Sequence, residues 1–237
     1  KTIKNSVAIA GVGIHTGVST QIRLMPAIAN SGIRFIRTDL ANNPTINANV
    51  DNVFSTERST DLKQGVAEIK TVEHLLAAVV GANIDNLIIE VDNIEIPILD
   101  GSAKEFSDLI ATAGITDLNA NRIFFEIKRK ISLTDKETGT ILTATPADEY
   151  QVEVEIDYNS KVLGVQNASL KSITDFKEEI SCSRTFCFLH ELETLLDNNL
   201  IKGGNLKIIV FREKGGKFLP ENNSTSFLIM SKKSETN

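Results

Sequence analysis

Apolar residues recur at helical spacing through EIKTVEHLLAAVVG, residues 68 to 81, and predict a helix there. With Val72 as origin and about 100° per residue, Ile69, Leu75, Leu76, Val79 and Val80 spread around one apolar side. His74 falls about 200° away, beside Ala77, Ala78 and Gly81, and Glu73 stands on the border between the two faces. Further on, NLIIEVDNIEIPIL (86–99) sets two apolar runs around Asp92-Asn93, residues that tolerate the positive φ of a tight turn. It predicts a hairpin whose second arm, which carries Pro97, lies at an edge. DGSAKEFSDLIATAG predicts a second helix. Ser102 and Glu105 match the S-x-x-E capping box, Phe106, Leu109 and Ile110 follow at helical spacing, and Gly114 is placed to end it.

ITDLNANR (115–122) is polar and turn-rich, which places a domain boundary near residue 120. Beyond it, strands are predicted in IFFEIKRKISL, TILTATP and the alternating QVEVEIDY. A helix over 187–198 follows, with Phe188, Leu189, Leu192, Leu195 and Leu196 in one stripe. Residues 205–237 lose this periodicity and are expected to form a divergent, partly disordered tail. Strands and then a helix in each half predict an α+β fold of two layered units, 1–120 and 121–204, although no repeat is visible in the residues themselves.

Composition narrows the partners. A chain of 237 residues with 41% hydrophobic content can fill a core. Its 25 basic against 31 acidic residues argue against nucleic acid or an anionic membrane surface as the main partner. No Trp and few other aromatics remove the stacking platforms of single-strand binders. The apolar runs are too short to span a bilayer, and KTIKNSVAIAGVGIHTG lacks the apolar stretch of a signal peptide, so a cytoplasmic protein is expected. Cys182 and Cys187 are too few for a disulfide scaffold, and two buried, inert thiols fit a reducing compartment.

By geometry alone, the commoner role for a lone helical histidine such as His74 is solvation or a hydrogen bond. Four stretches taken together change that weighting: GVGIHTG (11–17), TVEHLLAA (71–78), IDNLIIEVDNIEIPILDGSAKEF (84–106) and SRTFCFLHELE (183–193). In this order they resemble the signature of the UDP-3-O-acyl-N-acetylglucosamine deacetylases, zinc amidohydrolases that commit a sugar nucleotide to lipid A synthesis. The similarity covers about residues 2 to 204. It implies two β-α-α-β sandwich domains with the active site between them, and an acylated UDP-sugar as substrate. It also implies that His74 is a zinc ligand and that Glu73 is the general base acting on zinc-bound water. Such a zinc keeps about three protein ligands and an open position for water, whose proton a neighbouring carboxylate can take.

Thr185, in SRTFCF, matches the family's oxyanion-stabilising hydroxyl, while position alone also suits capping of the helix over 187–198. The resemblance gives Phe186, Phe188, Leu192 and Ile201 an acyl-chain-facing role, where core packing is the alternative. Gly203 and Gly204 resemble close-approach glycines of the same passage, or form a turn. His15 is expected to be structural, and Asp100-Gly101-Ser102 to be a turn with a helix cap. Arg58 and Ser59 match a substrate-side loop only loosely. HELET (190–194) fails the H-E-x-x-H zinc pattern because Thr194 stands where the second His belongs, and His190 is expected on a solvated face.

The family's other zinc ligands lie in a later H-x-x-x-D segment followed by a further catalytic His, yet the three histidines here are His15, His74 and His190. The expectation is therefore a truncated or frame-disrupted form of a longer deacetylase, its second sandwich incomplete and its exposed apolar surface favouring marginal stability or association. The alternatives are a metal-free pseudoenzyme that binds sugar nucleotide or a protein partner without catalysis, and a substitute metal site built from Cys182, Cys187, His190 or Glu193. Some members of the family carry a fused hydroxyacyl-carrier-protein dehydratase domain, of which nothing is legible here.

Overall fold

Strand Ser19–Pro26 turns Thr20, Ile22 and Leu24 inward and its alternate residues outward, the period-two pattern of a sheet with one covered face. The computed structural model describes residues 1–159, 164–188, 202–203 and 209–211. Its main sheet has five strands in the order Val7–Val12, Ser19–Pro26, Leu87–Val91, Ile33–Arg37 and Thr45–Asn47. All neighbours are antiparallel except Leu87–Val91 with Ile33–Arg37. Helices α1 (Glu73–Gly81) and α2 (Lys104–Ala113) touch each other, and Leu75, Val79, Phe106 and Ile110 share one core with Ile22, Leu24, Phe35 and Ile89 of the sheet. A three-stranded sheet, Val53–Ser55, Asp61–Gln64 and Ala67–Ile69, leads into α1. Thr2–Ile3 pairs antiparallel with Ile115–Thr116 and so closes the first 116 residues on themselves.

The α+β class expected from the sequence is present, with several local corrections. Residues 86–99 are no hairpin: Leu87–Val91 is a central strand, and the run after Asp92-Asn93 meets Lys70 in a single parallel bridge at Glu95. The first arm is wanted on both its edges by other strands, so local turn chemistry loses to the sheet. The capping box also fails by one position. α2 begins at Lys104, and the Ser102 hydroxyl accepts the Lys104 amide at 3.1 Å while donating to Asp100 Oδ1 at 2.6 Å. Gly114 does end α2, at a φ of +69°.

On α1 the buried side is rotated from the expected one. Ala78 is buried and Val80 is exposed, because α2 and the segment around Phe176 approach through the small residues. A Cβ on Gly81 would run into the Phe176 ring. The strip of small residues is thus largely a packing surface.

In the second half, TILTATP forms strand Ile141–Ala144 and QVEVEIDY forms Val152–Asp157, each within a two-stranded antiparallel ladder. IFFEIKRKISL is strand only from Ile131 to Thr134, and Ile123, Phe124 and Phe125 lie exposed in irregular chain. The helix expected over 187–198 does not start where it should: Phe186–Phe188 is a strand pairing in parallel with Ile209–Phe211. Aromatic and β-branched side chains suit that pairing, and a parallel partner more than twenty positions away was not foreseeable from local spacing. Residues 189–198 lie outside the described residues. No described helix is long and apolar enough to cross a membrane.

Candidate active site

Glu73 is the first residue of α1, where the helix dipole favours a negative charge. Its Oε2 accepts the Thr60 backbone N–H at 3.0 Å, which fixes the carboxylate and leaves Oε1 for other work. His74 follows directly, its Nε2 4.0 Å from Glu73 Oε1, beyond hydrogen-bond range. The imidazole is only 17% exposed and the Glu73 side chain 36%. Burial holds the His74 pKa below its ordinary value, against the opposing pull of the Glu73 and Asp100 charges. A neutral imidazole with a free ring nitrogen is the form that can bind a metal.

The Asp100–Ser102 turn lies close enough for the Asp100 charge to act on His74. Asp100 Oδ1 accepts the Ser102 N–H and hydroxyl, and Oδ2 accepts Arg184 Nη2 at 3.2 Å. The Thr185 N–H donates to the Gly101 carbonyl at 2.8 Å, and the Ala103 N–H to that of Ser181 at 3.0 Å. The second half is therefore stitched onto the turn that faces His74, with Thr185 in the seam. Since Thr185 precedes a strand, the helix-capping alternative falls away. Asp100 and Arg184 were missed as participants; the DGS turn, ending two positions before the first residue of α2 and inside a signature stretch, was the available signal.

Phe186 is half-buried and meets the Tyr158 ring edge-on at 5.4 Å between centroids. Phe188 is described only by its place in the same strand. Leu192, Ile201 and Gly204 lie outside the described residues, as do His190 and Glu193. Gly203 packs on the Gly13–Gly17 turn: its N–H and that of Lys202 both reach the Ile14 carbonyl, and a Cβ on Gly203 would collide with the Gly13 carbonyl oxygen. His15 lies in the same turn and donates its backbone N–H to Glu95 Oε1 at 3.0 Å. Ser59 is buried, donating to Asp61 Oδ1 at 2.6 Å.

For the metal-free chain this geometry predicts a pH effect. With the His74 pKa lower in the folded state than its ordinary 6.5, the unfolded chain binds the extra proton first as pH falls. Stability should thus decline from about pH 6.5 down to the folded pKa and level off below it. Urea midpoints at about pH 7.5 and pH 5.5 should differ less in His74→Gln than in the parent.

An α+β protein that opens a helix with an oriented carboxylate beside a desolvated imidazole carries side chains of the kind used in metal-assisted hydrolysis. The LpxC family model, described as UDP-3-O-acyl N-acetylglycosamine deacetylase, matches residues 1–223, and the chain belongs to this family. The match runs beyond residue 204, where the resemblance read from the sequence was expected to end. A bifunctional LpxC/FabZ enzyme of Porphyromonas gingivalis is 42% identical over 206 residues, 87% of this chain but 45% of the relative. The UDP-3-O-acyl-N-acetylglucosamine deacetylases of Trichormus variabilis and Teredinibacter turnerae are each 40% identical, over 86% and 90% of this chain and 75% and 71% of their own lengths. The chain spans about half the length of the bifunctional relatives.

Proposed function

We propose that this chain serves hydrolytic removal of the N-acetyl group from UDP-3-O-(3-hydroxyacyl)-N-acetylglucosamine, an early step of lipid A biosynthesis. The observation that carries the reading is the pair at the head of α1: a carboxylate oriented by the Thr60 amide next to a largely buried imidazole whose pKa burial lowers. Glu73 accepts a proton at Oε1 from the attacking water as the water oxygen adds to the acetamide carbonyl, then returns that proton to the amide nitrogen as the C–N bond breaks, releasing acetate and the sugar amine. The Thr185 hydroxyl donates to the oxyanion, which its place on the Asp100–Ser102 turn supports. Phe186 and Phe188, with Leu192, Ile201 and Gly204, line the path of the acyl chain. The UDP-sugar spans units 1–120 and 121–204, the second built as a further β-α-α-β layer.

Zinc, when bound, supplies the Lewis acid that brings water's pKa toward neutrality. His74 suits one ligand position. Among the described residues no three His, Cys, Asp or Glu side chains converge, so the ligand set is not completed there. The test is to strip the purified chain of metal, titrate zinc back, and assay acetate release from the acylated UDP-sugar. About one tightly held zinc per chain together with acetate release bears the reading out. Substrate binding by calorimetry with neither zinc nor acetate would overturn it in favour of a sugar-nucleotide-binding relative without chemistry.

A further inference from the structure

Thr71 has a φ of +60°, a left-handed conformation that a β-branched residue rarely adopts, two positions before Glu73. It is 2% exposed and held from two sides. Its N–H donates to Asp61 Oδ1 at 3.2 Å, and its hydroxyl donates to Glu95 Oε1 at 3.0 Å. Both carboxylates are buried, Asp61 at 4% and Glu95 at 0% exposure. Asp61 is held in turn by the Ser59 hydroxyl and Lys70 Nζ. Glu95 also collects the His15 N–H at 3.0 Å, the Thr16 N–H at 2.8 Å and the Thr16 hydroxyl at 2.5 Å. Gly13 makes room for it, since a Cβ there would overlap the Glu95 carboxylate.

This arrangement has a direct consequence for α1. Lys70 is laid alongside Glu95 by the bridge, with its N–H on the Ile94 carbonyl and its own carbonyl taking the Ile96 N–H. The chain must then reverse at once to start a helix at Glu73, and a left-handed Thr71 makes that reversal. Val72 follows with its N–H on the Thr60 carbonyl, and the Thr60 N–H returns to Glu73 Oε2.

We propose that Glu95 and Asp61 are positioning residues that clamp Thr71 in its left-handed state and thereby aim Glu73 and His74, with Glu95 tying that aim to the Gly13–Gly17 turn on which Lys202 and Gly203 rest. The positioning of a catalytic pair rests on the proposed function, whereas the backbone clamp does not. Glycine adopts positive φ without a clamp, so Thr71→Gly makes the clamp dispensable at that one point.

The experiment follows backbone hydrogen exchange over residues 13–17 and 72–76 in the full chain and in Glu95→Gln, Thr71→Gly and the double variant. Glu95→Gln should accelerate exchange in both segments by roughly ten-fold. Adding Thr71→Gly should restore residues 72–76 and leave 13–17 fast. Should Glu95→Gln not fold, Asp61→Asn replaces it, with acceleration expected only at 72–76 and the same rescue. Exchange that rises only at 13–17 in Glu95→Gln, or no rescue by glycine in either background, overturns the proposal. In acetate release, Glu95→Gln should lose kcat at unchanged KM, Thr71→Gly should keep it and the double variant should regain it. A parent chain that releases no acetate sinks the functional reading while the exchange result still decides the clamp.

Discussion

Glu73→Gln is expected to lower acetate release by about 10²–10⁴-fold, the range for losing a positioned general base, with zinc content unchanged. The substitution is close to a pure change of chemistry. Glutamine keeps an oxygen that can accept the Thr60 N–H, the contact that now holds Oε2 at 3.0 Å, so the start of α1 should stay in place. What is lost is the capacity to take a proton and the charge beside His74. Because that charge pulls the His74 pKa upward against burial, its removal should drive the imidazole further toward the neutral form and so not weaken metal binding. A fall in zinc content matching the fall in rate would make Glu73 part of the metal site. Undiminished turnover would remove it from the chemistry altogether.

The site was legible in the sequence to the extent that its chemistry is carried by adjacent residues. Glu73 and His74 could be singled out because a helix needs neither an acid nor an imidazole there, and the four signature stretches supplied the context. Thr60, Thr71 and Asp61 could not, since nothing in STERSTDLKQ or EIKTVE shows that a backbone amide will hold one carboxylate while another holds a left-handed threonine. Glu95 was hidden differently. It sits in an apolar run, NIEIPIL, where alternation reads it as the solvent-facing member of a strand, yet it is fully buried under four donors from two distant segments. A buried carboxylate is tolerated only when its acceptors are satisfied, and that satisfaction is a tertiary property.

The fold shows the same division. Strand Ser19–Pro26 and helix α2 follow their own periodicity, and Gly114 stops α2 where a left-handed residue is wanted. The 86–99 segment and Phe186–Phe188 departed from local pattern because each was claimed by strands remote in the chain. Both departures bear on the site. One brings Glu95 under the Thr16 turn, and the other makes the SRTFCF stretch an extended arm, so that Thr185 is placed by its amide contact to Gly101 rather than by a helix end.

Gly81→Ala should destabilise the protein by about 1–3 kcal/mol, the usual cost of overpacking a filled contact. Two effects compete. Alanine is better than glycine by up to about 1 kcal/mol within a helix, and less at its last residue, where Gly81 stands. Against that gain, the new Cβ would lie inside the Phe176 ring, which is itself 8% exposed and has little room to move. The clash should win. Pairing the change with Phe176→Leu should recover part of the loss, giving a non-additive cycle in urea midpoints at constant m-value. The consequence reaches the site because the Phe176 carbonyl accepts the amides of Ile180 and Ser181, and the Ser181 carbonyl accepts that of Ala103. Displacing the ring therefore loosens the segment that sets Arg184 on Asp100 and Thr185 on Gly101. Gly81→Ala should accordingly speed amide exchange at Thr185 more than at Glu73, whereas an unchanged midpoint would show that the Phe176 ring is not seated against α1.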